Sequence, residues 1–303
     1  MILIGENVHI ISKSVKTALE NKDENFVKNL IKIQRNLDAI DLNIGPAKGK
    51  LDNVFEWLLS MYPQGNFSFD SSDINAIERA LKSALNAQNC FINSTSADDD
   101  KLKRCVDLAL EYNCNLIALS MSKQTGIPKS SDGRMELVLK IYEYCLGKGL
   151  SANKIFFDPL VLPVKVDNSQ PVEALNTIRM ISESFAGELN TVIGLSNVSN
   201  GISKELRPLF NRVFAVLSYG AGLSGAIIDA KDTELIRILK MLECNNPKSD
   251  VDKLYINLSN MIQCFMEIED IDFDKNDKEQ SDIVKIARVL LGKKIYSDNF
   301  LQV

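Results

Sequence analysis

Eight polar residues stand where apolar runs of this chain stop: Glu6, Asp41, Asn43, Asp70, Asn93, Asp158, Asn197 and Asp229. The set is rich in carboxylates and carboxamides and poor in nucleophiles and in bases that titrate near neutral pH. Asn197, in TVIGLSNVSN, has no His, Cys, Lys or acid in the stretch around it. Such groups suit a flat heterocycle that presents donors and acceptors together. A 2-amino-4-oxo-pyrimidine ring, as in pterins and guanine-like bases, offers N–H groups to carboxylates and acceptors to an Asn amide. Paired carboxylates also raise glycosidase chemistry, but aromatic sugar platforms are thin, with the single Trp57 on a helical stripe. His9 has no second His or Cys near it to complete a metal site. Any one of the eight is ordinarily a turn former or cap. Asp229 fits that role in IIDAKD, and Glu6 and Asp41 fit backbone-bonding roles at a rim. Recurrence at seven segments points to a shared site.

The elements that must position these residues are eight short β-rich runs: ILIGEN (2–7), AIDLNIG (39–45), FSFDSS (67–72), CFINST (90–95), LIALSMS (116–122), IFFDPLVL (155–162), TVIGLSN (191–197) and GAIIDA (225–230). Their starts lie roughly 25 to 40 residues apart, too far for hairpins and right for strand–helix units. Between them apolar residues take helical spacing, as in Leu51–Val54–Phe55–Leu58–Leu59, Phe26–Leu30–Ile33–Leu37, Ile74–Ile77–Leu81–Leu85 and Leu206–Phe210–Val213–Leu217. Eight alternations in about 250 residues predict an α/β fold of the (β/α)₈ TIM-barrel type. A doubly wound open sheet is the other architecture, but no G-x-G-x-x-G follows the first strand. In a barrel the C-terminal strand ends converge on one mouth. Only the fifth run breaks the pattern, ending in Ser120, Met121 and Ser122.

Composition narrows the classes. The 303 residues are 45% hydrophobic and 25% charged with net charge −5, which gives nucleic-acid binding no global support. Six cysteines (90, 105, 114, 145, 244, 264) contain no C-x-x-C pair, so reduced structural thiols are expected rather than a zinc or iron–sulfur site. MILIGENVHI lacks a basic n-region, and no run reaches the ~18 apolar residues of a span. The expectation is a soluble cytoplasmic protein without membrane or nucleic-acid partners.

Taken in order, IDLNIGP, FDSSDINAIE, FINST, SKQTGIPK, FFDPLVLP, GLSNVSN and LRPLFNR resemble the methyltetrahydrofolate:corrinoid (iron–sulfur) protein methyltransferases. These belong to the pterin-binding superfamily, with dihydropteroate synthase and the folate module of cobalamin-dependent methionine synthase. The likeness runs from residue 1 to about 243 and resumes at about 283–300 in VLLGKKIYSDNF. Each motif is short; their order and spacing make the match specific. Dihydropteroate synthase has N-x-T-P-D-S-F where this chain has GENVHIIS, an S-R-P loop in place of GPAKGK, and a C-terminal R-x-H that is missing here.

The resemblance implies a single pterin-binding domain over 1–303, with the ring held by Asp70, Asn93 and Asp158. Asp41 matches a carboxylate near the ring and its water network, and Ser196 is carried over as a substrate contact. Asn200 stands where the family often has Gln. Arg207 matches the R-P-L arginine, two residues later than expected. Asn197 matches the asparagine implied to be catalytic. Its chemistry has a separate rationale. A methyl on the tertiary amine N5 is a poor electrophile, so N5 needs a hydrogen bond or a proton as the C–N bond breaks. Asn cannot titrate and acts only through its NH₂ dipole, with Asp41 one candidate to route a proton through water. The implied nucleophile is a Co(I) corrinoid on a partner, either a corrinoid iron–sulfur protein or the corrinoid carrier of a demethylase system. 5-Methyltetrahydrofolate or tetrahydrofolate is then the substrate, no metal is bound by this chain, and the protein is a homodimer. A dihydropteroate-synthase-like enzyme and a non-catalytic pterin-binding protein are the alternatives.

Three features depart from the family pattern or stand outside it. Loop 122–134 carries Lys123, Lys129 and Arg134, either solvated or in contact with a folate glutamate tail or the corrinoid partner. His9 and Asn7 replace the usual Asn and Arg. Residues 244–282 read as an insertion in the last helix: an extra helix with an apolar stripe at Leu254, Leu258, Ile262 and Phe265, then a mobile acidic tract that decorates the surface or meets a partner.

Overall fold

The protein is described by a computed structural model over residues 1–297 and 299–300. Eight parallel strands close into a barrel in chain order: β1 (Ile2–His9), β2 (Ala39–Gly45), β3 (Phe67–Ser71), β4 (Phe91–Thr95), β5 (Asn115–Leu119), β6 (Ile155–Asp158), β7 (Asn190–Gly194) and β8 (Gly225–Ile228). Pairing of Ile2 to Gly5 with Gly225 to Ile228 closes the circle. The architecture is the (β/α)₈ barrel that the alternation of runs predicts. Inside it, Ile4, Ala39, Phe91, Ile117, Phe156 and Val192 meet as a packed plug, with the Phe91 and Phe156 rings edge-on at 5.2 Å. The polar residues farther along each strand therefore stand on a solid apolar floor.

Several strands end earlier than the sequence runs do. β5 stops at Leu119, β6 at Asp158 and β7 at Gly194, so Ser120–Ser122, Pro159–Leu162 and Leu195–Asn197 belong to the segments above the mouth. A 3₁₀ turn, Leu195–Ser199, carries Ser196 and Asn197.

Two helical stripes also shift. In the helix Glu24–Gln34 the buried residues are Val27, Ile31 and Gln34, one position from the Phe26–Leu30 line, while Ile33 is exposed and Leu37 lies beyond the helix. Two apolar lines share the four-residue spacing there. The inner one ends on a polar residue, so hydrophobic pattern alone does not select it. Leu85 likewise falls outside the helix Ile74–Ser83 and is 63% exposed.

Residues 244–282 contain the expected extra helix, Asp250–Gln263, which buries Leu254, Leu258 and Ile262. It lies across the outside of the helix Arg207–Gly220, so closely that a Cβ at Gly220 would strike the Ser259 carbonyl. Arg237 Nη2 binds Asp252 Oδ1 at 2.6 Å and fixes the helix to its neighbour Thr233–Cys244. Phe265 corrects the expected stripe. It lies past the helix, has φ +57° and is 66% exposed, with Arg179 stacked 4.4 Å from its ring centroid. No helix among the described residues is long and apolar enough to cross a membrane.

Candidate functional site

The site begins with an irregularity in β1. Pairing with β2 steps from Gly5↔Ile40 to Val8↔Leu42, so Glu6 and Asn7 form a bulge. The Asn7 amide donates to Gln34 Oε1 at 3.0 Å, and Gln34 Nε2 donates to the Leu30 carbonyl at 2.9 Å. Gln34 reaches this position over Gly5, where any Cβ would collide with its carboxamide. That is why a glutamine occupies the buried face of its helix. The bulge then sends the two side chains apart. Glu6 lines the barrel mouth. Asn7 donates from Nδ2 to Asp229 Oδ1 at 2.6 Å and accepts from the Ala230 amide at 2.9 Å, tying β1 to the segment after β8.

A cavity of about 180 Å³ occupies the mouth, lined by Glu6, His9, Asp41, Asn43, Asp70, Asn93, Asp158, Gly194, Ser196, Asn197 and Ile227. On the β2–β4 side, Asp41 Oδ1 accepts from Ser68 Oγ at 2.6 Å and Asn93 Nδ2 at 3.0 Å. Asn43 Nδ2 donates to Asp70 Oδ2. At the end of β6, Asp158 Oδ1 accepts the Leu160 amide at 2.7 Å. Leu160 takes φ +61°, a conformation disfavoured for a branched residue, and in it the amide meets the carboxylate. Across the mouth, Ser196 Oγ donates to Glu6 Oε2 at 3.1 Å. Gly194 leaves room for the Asn197 amide, since a Cβ there would lie 3.0 Å from Nδ2.

Four carboxyls share this small space, and burial is the main cause of each one's raised pKa. Glu6 is pushed up to about 7, against the opposing Ser196 hydrogen bond. Asp41 rises to about 6 despite its two donors. Asp70 rises to about 8, with the Asp41 charge adding to burial, and Asp158 rises to about 7. His9 Nδ1 accepts the Ile11 amide at 3.1 Å, so the neutral ring carries its proton on Nε2, and burial lowers its pKa. The mouth is thus rich in acceptors and holds carboxyls that exchange protons near neutrality. It suits a neutral ring with several N–H groups. Its volume is below the ~300–1,000 Å³ of drug-sized pockets, so it takes one small ring system and leaves the rest of a longer ligand outside.

Of the residues expected to bind substrate, Asp41, Asp70, Asn93, Asp158 and Ser196 come together here with Asn197. Asn200 and Arg207 do not line the cavity. Asn200 is exposed at the end of the 3₁₀ turn, and Arg207 Nε donates to the Ile202 carbonyl at 2.9 Å from the start of its helix. Arg134 is fully buried beneath its loop, donating to the Pro128 carbonyl and Gln170 Oε1. That placement takes it away from a ligand tail or partner. Sequence reasoning passed over Ser68, Gln34 and the pairing of Asn43 with Asp70. Ser68 had a legible signal, a hydroxyl between two phenylalanines in FSFD.

Comparison with known proteins agrees with the fold and gives a family. The family model for pterin binding enzymes matches residues 42–229. A methylcorrinoid:tetrahydrofolate methyltransferase of Eubacterium limosum is 26% identical over 243 residues, covering 78% of this chain and 88% of that protein. A methionine synthase of Mycobacterium leprae is 24% identical over 171 residues, 53% of this chain but 14% of that longer protein. Among solved structures, the dihydropteroate synthase of Yersinia pestis superposes with TM-score 0.56 at 14% identity, covering 80% of this chain and 93% of that one. The enzyme of that name from Thermus thermophilus gives 0.53 at 18%, with 80% and 93% covered. These structural likenesses speak for the barrel alone.

Proposed function

The chain belongs to the pterin binding enzyme family, and from that premise we propose that it moves the N5-methyl group between 5-methyltetrahydrofolate and the cobalt of a corrinoid on a partner protein. The observation that carries this reading is a mouth lined by carboxyls and carboxamides without a thiol or a lysine, its one lining hydroxyl, Ser196, being bonded to the Glu6 carboxyl. Such a mouth suits a methyl acceptor brought from outside, and a Co(I) corrinoid is one. The name of the Eubacterium limosum relative supports the same pairing of substrates. Asp70, Asn93 and Asp158 hold the N–H-rich edge of the ring, with Asp41 behind Asn93. Asn197, whose amide has no partner among the described residues, donates to N5 as its lone pair develops. The corrinoid carrier is an iron–sulfur corrinoid protein or the carrier of a demethylase system.

The purified protein is mixed with 5-methyltetrahydrofolate and cob(I)alamin under anaerobic conditions. Loss of the Co(I) absorbance at a rate proportional to protein is the expected result. Folate binding without that loss would leave a pterin-binding protein and contradict the transferase.

A further inference from the structure

We infer that Glu6 is the group that gives N5 its proton in the demethylation direction and takes it in the reverse. The inference rests on the methyl-transfer reading above and assigns it a proton carrier. The step balances as follows. Co(I) supplies the electron pair of the new Co–CH₃ bond, the C–N5 pair stays on nitrogen, and the Glu6 proton closes the N5 valence, leaving tetrahydrofolate, methyl-Co(III) and the Glu6 carboxylate. In the opposite direction the carboxylate removes the N5 proton as nitrogen takes the methyl group.

Asn197 holds no titratable proton, so the carrier must be another group on the same side of the mouth. The ring-edge residues Asp70, Asn93 and Asp158 sit on β3, β4 and β6, whereas Asn197 follows β7. β7, β8 and β1 are consecutive around the barrel, and the bulge in β1 directs Glu6 into the cavity from that side. Its one hydrogen bond among the described residues comes from Ser196, the residue next to Asn197. A hydroxyl serves either state of the acid, donating to the carboxylate and accepting from the carboxylic acid. Oε1 has no hydrogen-bond partner among the described residues and is left for a ligand. Asp41 is less suited, because Ser68 and Asn93 both donate to its Oδ1 and favour the ionised form.

Glu6 also lines a second opening of about 280 Å³ with Asn7, Phe26, Asp229 and Lys231, and this opening shares Glu6, His9 and Ser196 with the mouth. That opening is a route for resupplying the proton from water. The groups that set its charge balance are Asp229, Asp41 and His9 nearby, Asp70 and Asp158 across the mouth, and Lys231 at the outer edge. Burial first, then the Asp229 and Asp41 charges, hold Glu6 at about 7 against the Ser196 bond, a value at which one carboxyl works as acid and as base.

The test is the pH profile of methyl transfer to cob(I)alamin by the unaltered protein and by Glu6→Gln, with tetrahydrofolate binding measured on both. The expected result is a wild-type rate that falls as pH rises through about 7 and an E6Q rate at pH 6 lower by ~10²-fold without that limb, with binding retained. An E6Q enzyme that keeps both rate and limb overturns the inference. E6Q that folds but no longer binds folate also overturns it, by making Glu6 a ligand-holding group. If E6Q does not fold, Glu6→Asp decides: a slower enzyme with a retained limb supports the inference and a wild-type rate overturns it. Absence of transfer by the unaltered protein overturns the function itself and this step with it.

Discussion

At the scale of single residues, the proposed transfer separates recognition from chemistry. Asp70, Asn93 and Asp158 are carboxyls and an amide fixed by neighbours, whereas the Asn197 amide lies close over Gly194 with no side-chain partner among the described residues. If Asn197 acts mainly on the transition state, Asn197→Ala lowers kcat/KM for methyl transfer by ~10²-fold with folate affinity changed far less. Equal losses in affinity and rate would make it a binding residue instead. Asp70→Asn should act the other way. It keeps the shape but exchanges one acceptor oxygen for an NH₂ group that faces the ring's own donors, so a titration should show tetrahydrofolate binding weakened by ~10-fold or more. Unchanged affinity would remove Asp70 from the ligand edge.

Among the elements, the β1 bulge is the part that sequence pattern did not disclose. Strand runs were legible because buried parallel strands read as apolar stretches, and the polar residue ending each run marked the mouth. Gln34 was illegible because its role depends on a neighbour far along the chain: a carboxamide on a helix reads as solvent-facing until Gly5 and the Asn7 amide are seen beneath it. For the same reason the apolar spacing points to Phe26–Leu30, although the buried line is Val27–Ile31–Gln34. Gly5→Ala therefore displaces Gln34 and releases the bulge amide, at a cost of about 1–3 kcal/mol from overpacking. A fall in thermal midpoint accompanied by a loss of transfer rate larger than that of Gly220→Ala is the expected outcome. Gly220→Ala disturbs the remote contact with Ser259 and Ile262, so similar effects on rate from both would detach the bulge from catalysis.

For the whole molecule, the crowded carboxyls predict an unusual pH dependence of stability. In the folded, ligand-free protein Glu6, Asp41, Asp70 and Asp158 titrate at about 7, 6, 8 and 7, above their ordinary values of 4.5 and 3.8. The folded state then binds more protons than the unfolded chain, so these four stabilise fully only below their ordinary values, about pH 4, and lose that contribution as pH rises from there through their folded values of about 6 to 8. Asp98, Asp167 and Asp277, held low chiefly by hydrogen bonds, work in the opposite sense toward acid pH. Thermal unfolding should show a maximum at about pH 4 and a decline from there toward pH 8, less steep in Asp70→Asn. A midpoint that rises steadily to pH 8 would mean the mouth is not buried as described. Much of this scale was readable beforehand: eight alternations gave the barrel, and ordered motifs gave the family. The placement of Arg134, Asn200 and Arg207 was not, because a motif gives a residue's rank along the chain and not the direction its side chain takes.

Passage of a methyl group from folate to cobalt at this mouth can be followed with an isotopic label. The protein is incubated anaerobically with 5-[¹³C]methyltetrahydrofolate and cob(I)alamin, and the products are read by NMR. The predicted result is ¹³C on the cobalt-bound methyl of methylcobalamin, formed in step with tetrahydrofolate and dependent on protein. Label that stays on N5 while the folate is demonstrably bound would rule out the transfer.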